Sequence, residues 1–256
     1  MPTDSSLFDD LPGPPLYVSA SPEYTRRYID HRLTTDTNAD LLLTDALLDT
    51  LDRDRLTISK LQQLLDDGAT VHTFEDDTVE TAVVADECVR VATPTLAATT
   101  AEPFVTTTNP TLADAYRTRF EEATALEKPV APAGWHDFLS DAETTLSGPF
   151  RDAIETAAEM SDRVGTRYQS VSLPGLLCLA AAAHDHQQKE LDTLIDTHPL
   201  VTTGTISNMA HDLEAAGLIN REPVSDAGRG RPPKRLVLEE PLDPEEFADA
   251  LRTSLE

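Results

Sequence analysis

Apolar spacing changes character along this chain. From Leu16 through Thr93, short apolar runs alternate with stripes at helical spacing. "LYVSA" and "ADLLLTD" are continuous apolar runs of strand length. "SPEYTRRYIDHRL" puts Ser21 at an N-cap and Pro22 at the first helical position, which predicts a helix. "TISKLQQLLDDG" spaces Ile58, Leu61, Leu64 and Leu65 on one face and stops at Gly68. "ATVHTFE" and "VETAVVAD" are rich in strand formers, and the "DE" after Ala85 turns the chain back into "CVRVAT". This strand-helix-strand order predicts an α/β (or α+β) layered domain over residues 1–125. The opening "MPTDSSLFDDLPGPP" is polar and proline-broken and reads as a loose leader.

Past that region the period shifts. "TPTLAATTAEPFVTTTNPT" reads as loop or edge strand, and "LADAYRTRFEEATAL" as helix. "EKPVAPAG" is the strongest linker signal, with two prolines and a glycine in eight residues. The following pattern is helical to Met160, so residues 126–165 are read as a helical connector and 166–256 as a second domain.

The second domain carries the informative pattern. "SVSLPGLLCLAAAAHD" predicts a helix capped by Ser172, with Pro174 in its first turn. "QKELDTLIDTH" predicts another, with Leu191, Leu194 and Ile195 inward and Pro199 ending it. In "TTGTISNMAHDLEAAGLI", Thr202 caps a helix whose buried stripe is Ile206, Met209, Ala210 and Leu213, stopped by Gly217. "LINREPV" and "KRLVLEE" then flank "SDAGRGRPP" as a β-hairpin. "DPEEFADALRTSL" predicts a closing helix capped by Asp243, which either packs on its own domain or serves as a dimer element.

Helix, helix, polar-faced helix and hairpin is the order of a winged helix-turn-helix. In that module the N-terminal residues of the recognition helix enter the major groove. The face opposite the buried stripe offers Thr203, Ser207, Asn208 and His211, with Thr202 at the cap. These short polar groups suit base edges and phosphates. The hairpin supplies Arg221, Arg229, Arg231, Lys234 and Arg235. "DLEAAGLINR" and "GRGRPPKRL" resemble the winged-helix domains of bacterial and archaeal regulators. Composition and layout together look like the haloarchaeal regulators named for suppression of TrmB, the TbsP type. The resemblance implies a DNA-binding transcriptional regulator of central carbon metabolism genes, acting as a homodimer on a pseudo-palindromic promoter site. The N-terminal domain carries no motif matched to that family; its layered architecture alone is the ground for expecting a small-metabolite effector there.

Charge sharpens this picture. Asp and Glu number 46 against 20 Lys and Arg, a formal net charge of −26, with Lys only at positions 60, 128, 189 and 234. Such a surface resembles the proteomes of halophilic archaea, where the Debye length is about 3 Å. There, diffuse charge contributes little and only close contacts survive, so basic groups gathered into one hairpin are the ones that reach DNA. "RGRP" also looks like an AT-hook core, in which Arg-Gly-Arg lies in a narrow minor groove. Against this stand Asp212 and Glu214 on the recognition helix, which favour a winged-helix module used for protein interaction without DNA.

Other chemistry is weaker. Cys88 and Cys178 read as separate buried thiols, which fits a cytoplasmic setting. His184 and His186 read as imidazolium groups at a helix end rather than as metal ligands. His72 lacks the partner of a His-x-Lys pair, and neither a phosphate loop nor a nucleophile elbow is present. The sequence therefore points away from an enzyme, needs no cofactor, and shows neither a signal peptide nor a membrane span.

Overall fold

β1 (Leu16–Ser19), β2 (Asp40–Thr44) and β3 (Thr70–Phe74) run parallel, with Tyr17 beside Leu41 and Leu41 beside Val71. Helix α1 (Pro22–Thr35) joins the first two; α2 (Asp45–Leu51) and α3 (Arg55–Asp66) join the second pair. β4 (Ala82–Ala85), β5 (Cys88–Ala92) and β6 (Phe104–Thr108) add an antiparallel meander beside β1. After α4 (Pro110–Glu122), the short β7 (Thr124–Ala125) pairs antiparallel with β3. The sheet order is β6-β5-β4-β1-β2-β3-β7. This computed structural model describes residues 7–8, 14–35, 40–75, 79–93, 104–126, 130–131, 134–163, 172–198, 200–224 and 233–255. The chain divides into two units: Met1–Arg53 with Lys60–Val130, and Asp54–Ser59 with Ala131–Glu256.

Strand alternation gives the first unit its two faces. Leu16, Val18, Leu42, Val84 and Val89 pack with Leu112, Ala113, Tyr116 and Phe120 of α4. On the opposite face Tyr17 stacks on Tyr28 of α1, with ring centroids 4.1 Å apart, and its hydroxyl meets Thr25 Oγ1 at 3.1 Å. Burial pushes the Tyr28 phenol up to about 12. His72 is structural: its Nδ1–H donates to the Phe120 carbonyl at 2.8 Å and its ring stacks on Phe120.

Several expectations need correction. The opening residues are not wholly a loose leader, because Leu7 and Phe8 are buried and Phe8 packs edge-on against Tyr17 and Tyr28. Helix α2 has no counterpart in the sequence reading; Thr44 Oγ1 starts it by accepting the Leu47 N–H at 3.1 Å. The helix expected through Leu126 ends at Glu122, where Ala123 turns extended. Leu126 N–H then donates to the Val71 carbonyl at 2.8 Å, using the hydrogen-bonding edge of β3.

The second unit contains α5 (Trp135–Thr145), α6 (Gly148–Arg163), α7 (Leu173–Ala183), α8 (Gln188–Thr197) and α9 (Thr203–Ala215). β8 (Ile219–Pro223) and β9 (Lys234–Leu238) form its antiparallel hairpin, and a 3₁₀ turn (Pro244–Glu246) leads into α10 (Phe247–Leu255). The sequence reads the stretch before Met160 as continuous helix, yet it breaks at Leu146, and Ser147 Oγ accepts the Phe150 N–H to restart it. Both α5 and α6 contribute to the core: Phe138, Ala142, Phe150 and Ile154 pack with Leu176, Leu179, Leu194 and Leu213. The closing helix packs on its own domain, burying Phe247 and Leu251. Ser172 begins α7 through its carbonyl, which accepts the Leu176 N–H, and not through its hydroxyl.

Candidate nucleic-acid interface

Helix α9 is fixed at both ends by local chemistry. Thr202 Oγ1 accepts the Thr205 N–H at 3.0 Å at the start. At the end Gly217, with φ of +74°, allows Gly217 N–H to reach the Glu214 carbonyl and Leu218 N–H the Leu213 carbonyl. This paired closure needs a left-handed residue after the helix, which glycine adopts without a Cβ penalty. Ile206, Ala210 and Leu213 are fully buried, and Met209 packs partly buried beside them. That seating aims the other face outward.

Ser207, Asn208 and His211 are exposed and lie within about 100° of one another around the helix. Thr203 sits at the margin of the buried stripe, half-covered. Thr202 is exposed, but its hydroxyl is already engaged by the cap and by the Thr205 hydroxyl at 2.9 Å. The His211 side chain, 70% exposed, is the largest group on this face.

The hairpin is anchored by a single bridge from the residues just before α8. Gln187 bridges Arg235, and Leu236 N–H donates to the His186 carbonyl at 3.0 Å. This completes a winged helix: α7, α8, α9 and a β-wing. Arg235 is exposed and Lys234 half-buried. Arg221 is placed differently from Lys234 and Arg235. Its Nε donates to Glu214 Oε2 at 2.8 Å, its Nη2 closes on the same oxygen, and only 14% of its side chain is exposed. The Arg221 hydrogen bond holds the Glu214 carboxyl below its ordinary range, with the nearby Lys234 and His211 adding to the effect. Arg229 and Arg231 lie outside the described residues.

Sequence reasoning passed over one exposed cation, Lys189, in the first turn of α8. Its signal was its position, because the first helix of a helix-turn-helix crosses the DNA backbone. The remaining histidines serve the fold. His186 Nε2 meets Ser147 Oγ at 3.0 Å, and its Nδ1 lies 3.4 Å from Glu190 Oε2. That Ser-His-Glu order is not a catalytic set: Ser147 caps α6, and Glu190 Oε2 accepts the Gln187 N–H in the α8 capping box. His198 binds Asp141 and packs edge-on against Phe138. His184 differs from the imidazolium expected at the helix end, since burial and then His186 lower its pKa and favour the neutral ring. Cys88 and Cys178 are free thiols, and burial pushes the Cys178 thiol up to about 12. Among the described residues no group of three or more His, Cys, Asp or Glu is placed to hold a metal, and no helix is long and apolar enough to cross a membrane.

Residues 136–254 match the family described as "Transcriptional regulator TbsP-like, C-terminal HTH domain". Residues 136–254 of the second unit are therefore a TbsP-like winged helix-turn-helix domain. The match begins at α5, so the two helices before α7 belong to the matched region. No curated protein matches the chain. One similar solved structure is that of TrmBL2, an archaeal chromatin protein whose structure "shows a novel mode of DNA binding". It is 18% identical, with a TM-score of 0.33, over 47% of this chain and 48% of that one. The chain thus spans about half the length of that relative, a likeness too slight to bear on function.

Proposed function

We propose that this chain is a sequence-specific transcriptional regulator. In this reading α9 reads base edges in the major groove, and the wing tracks the phosphates or the adjacent minor groove. The observation that supports it most is the exposed polar row Ser207, Asn208 and His211, held rigidly over a buried stripe beside a basic hairpin. Thr203 and the Thr202 cap flank that row. In this reading Lys234, Arg235 and Lys189 contact phosphates, joined by Arg229 and Arg231 from the sequence between β8 and β9. Arg221 acts chiefly as a strut for the wing.

A homodimer on a pseudo-palindromic site follows from the need to double a small readout surface, with half-sites about 34–36 Å apart. The N-terminal α/β domain serves as the sensor of a small metabolite, because ligands of such sheets bind at strand ends. The TbsP-type likeness of residues 136–254 and the acidic, lysine-poor composition support control of central carbon metabolism genes in a halophilic archaeon.

The Glu214–Arg221 pair favours a second reading, a winged-helix protein-interaction module, because it removes one cation from DNA contact. Chromatin immunoprecipitation of the full chain in its native host separates the two. Discrete promoter peaks are the expected result; a profile matching the untagged control supports the interaction module.

A further inference from the structure

The outer strand β6 carries the one large apolar side chain that is well exposed among the described residues, Val105 at 57%. A single exposed valine is ordinary; its setting is not. In a chain of which 26% is charged, the stretch between Arg90 and Asp114 contains a single charged residue, Glu102. Edge strands are commonly protected by lysine, proline, a bulge or an inward charge. Phe104, Val105, Thr106, Thr107 and Thr108 include none of these residues, and all five pair in unbroken register with β5.

The phase of the ladder shows which backbone groups face outward. Ala92 N–H donates to the Thr81 carbonyl at 2.9 Å, and Asn109 N–H to the Glu87 carbonyl at 3.0 Å. Alternation between those points turns the N–H and C=O of Val105 and Thr107 toward β5. Those of Phe104, Thr106 and Thr108 therefore point away from the sheet.

We propose that β6 is the homodimer edge of this protein. Two copies pair antiparallel about a two-fold axis at Thr106, with Phe104 facing the partner's Thr108 and Thr106 facing its own counterpart. This identifies the interface of the dimer proposed above and rests on that reading. The strand is self-complementary in this register: each outward-facing pair exchanges both its hydrogen bonds, and like charges never meet directly across the join. Val105 falls opposite the partner's Thr107 in a non-hydrogen-bonded pair, where side chains approach closest, and so becomes covered. The neutral strand also gives a chain of charge −26 a place to meet its copy without strong repulsion. Pairing closes at two copies because it consumes both β6 edges, while the opposite outer strand, Thr124–Ala125, spans only two residues.

The test uses the full chain carrying Cys88→Ala, with Thr106→Cys or Val105→Cys added, under mild oxidation at high salt. Facing hydrogen-bonded residues have Cα atoms about 5.5 Å apart, within disulfide range. Thr106→Cys is expected to cross-link to twice 27.9 kDa, at least tenfold more than Val105→Cys, which is offset from its counterpart. Thr106→Pro deletes an N–H that the intramolecular ladder does not use, and is expected to halve the solution mass while the monomer keeps a cooperative melting transition. If the wild type is dimeric but Thr106→Cys does not cross-link, the interface lies elsewhere and the dimeric reading survives. If the wild type binds DNA only as a monomer, both are overturned. Cross-linking at Thr106 by a protein that binds no duplex DNA keeps the edge and removes the regulator reading.

Discussion

Arg221 on β8 donates through both Nε and Nη2 to one carboxylate oxygen of Glu214 on α9, so the base of the hairpin is tied to the C-terminal half of that helix. The pair also places Arg221 Nη2 3.4 Å from His211 Nδ1, drawing a residue of the exposed row into the same network. An acidic residue on a helix proposed to read DNA looks unfavourable in sequence. Here its charge is met by a partner seven positions on, and it orients the hairpin that carries Lys234 and Arg235.

Glu214→Gln is therefore expected to free Arg221 for phosphate. Non-specific duplex affinity should rise, and the salt dependence of binding should steepen by about 1 in log-log slope, as one added phosphate contact gives. The pH behaviour follows from the lowered Glu214 pKa. A carboxyl lowered by folding stabilises above its ordinary range, and that contribution is lost as pH falls through the folded value. The wild type should lose this increment in acid, while Glu214→Gln shows no such limb. Salt titrations by fluorescence anisotropy and melting curves across pH check both. An unchanged salt slope in the variant would show that Arg221 is not brought to DNA by release.

The wing tip tests the charge argument. Arg229→Ala with Arg231→Ala is expected to cost about 2–4 kcal/mol in specific DNA binding, summing two contacts. The melting temperature should stay within a degree or two. Equal affinity of double mutant and wild type at matched salt would remove the tip from the interface.

Close packing of α10 on α7 gives a prediction about the scaffold. A Cβ built at Gly175 lies 2.7 Å from Leu251 Cδ2 and 2.9 Å from its Cδ1, so the buried leucine side chain occupies the space a methyl would need. Gly175→Ala is expected to destabilise the fold by about 1–3 kcal/mol through overpacking. Leu251→Ala alone leaves a cavity and costs about 2–5 kcal/mol. Combined, the two should cost less than their sum, because the new methyl enters the space the leucine vacates. Denaturant unfolding of the four proteins measures this coupling, and strict additivity would refute the contact.

The legible parts of this chain were those with a period and a stop. The α9 stripe, the Gly217 stop and the "DE" turn were visible because each is set by neighbouring residues in the chain. Helix α2 was missed because seven residues hold too few turns to show a stripe among acids. The ends of α4 and β7 depend on β3, far away in sequence, so local pattern could not place them. The strut role of Arg221 is of the same kind: sequence marked it as a cation, and only the pairing of β8 with β9 beside α9 makes it a partner of Glu214.

Selection from a random duplex library by the full chain, at molar salt, tests the central claim most directly. The wild type is expected to enrich a pseudo-palindromic motif with half-sites one helical turn apart, or a multiple of that spacing. Asn208→Ala should return the same spacing with one or two half-site positions relaxed, losing about 1–3 kcal/mol at the preferred base. Enrichment no greater than that of a protein-free control would contradict the reading of α9 as a recognition helix. An unaltered motif of undiminished strength from Asn208→Ala would exclude Asn208 from base readout.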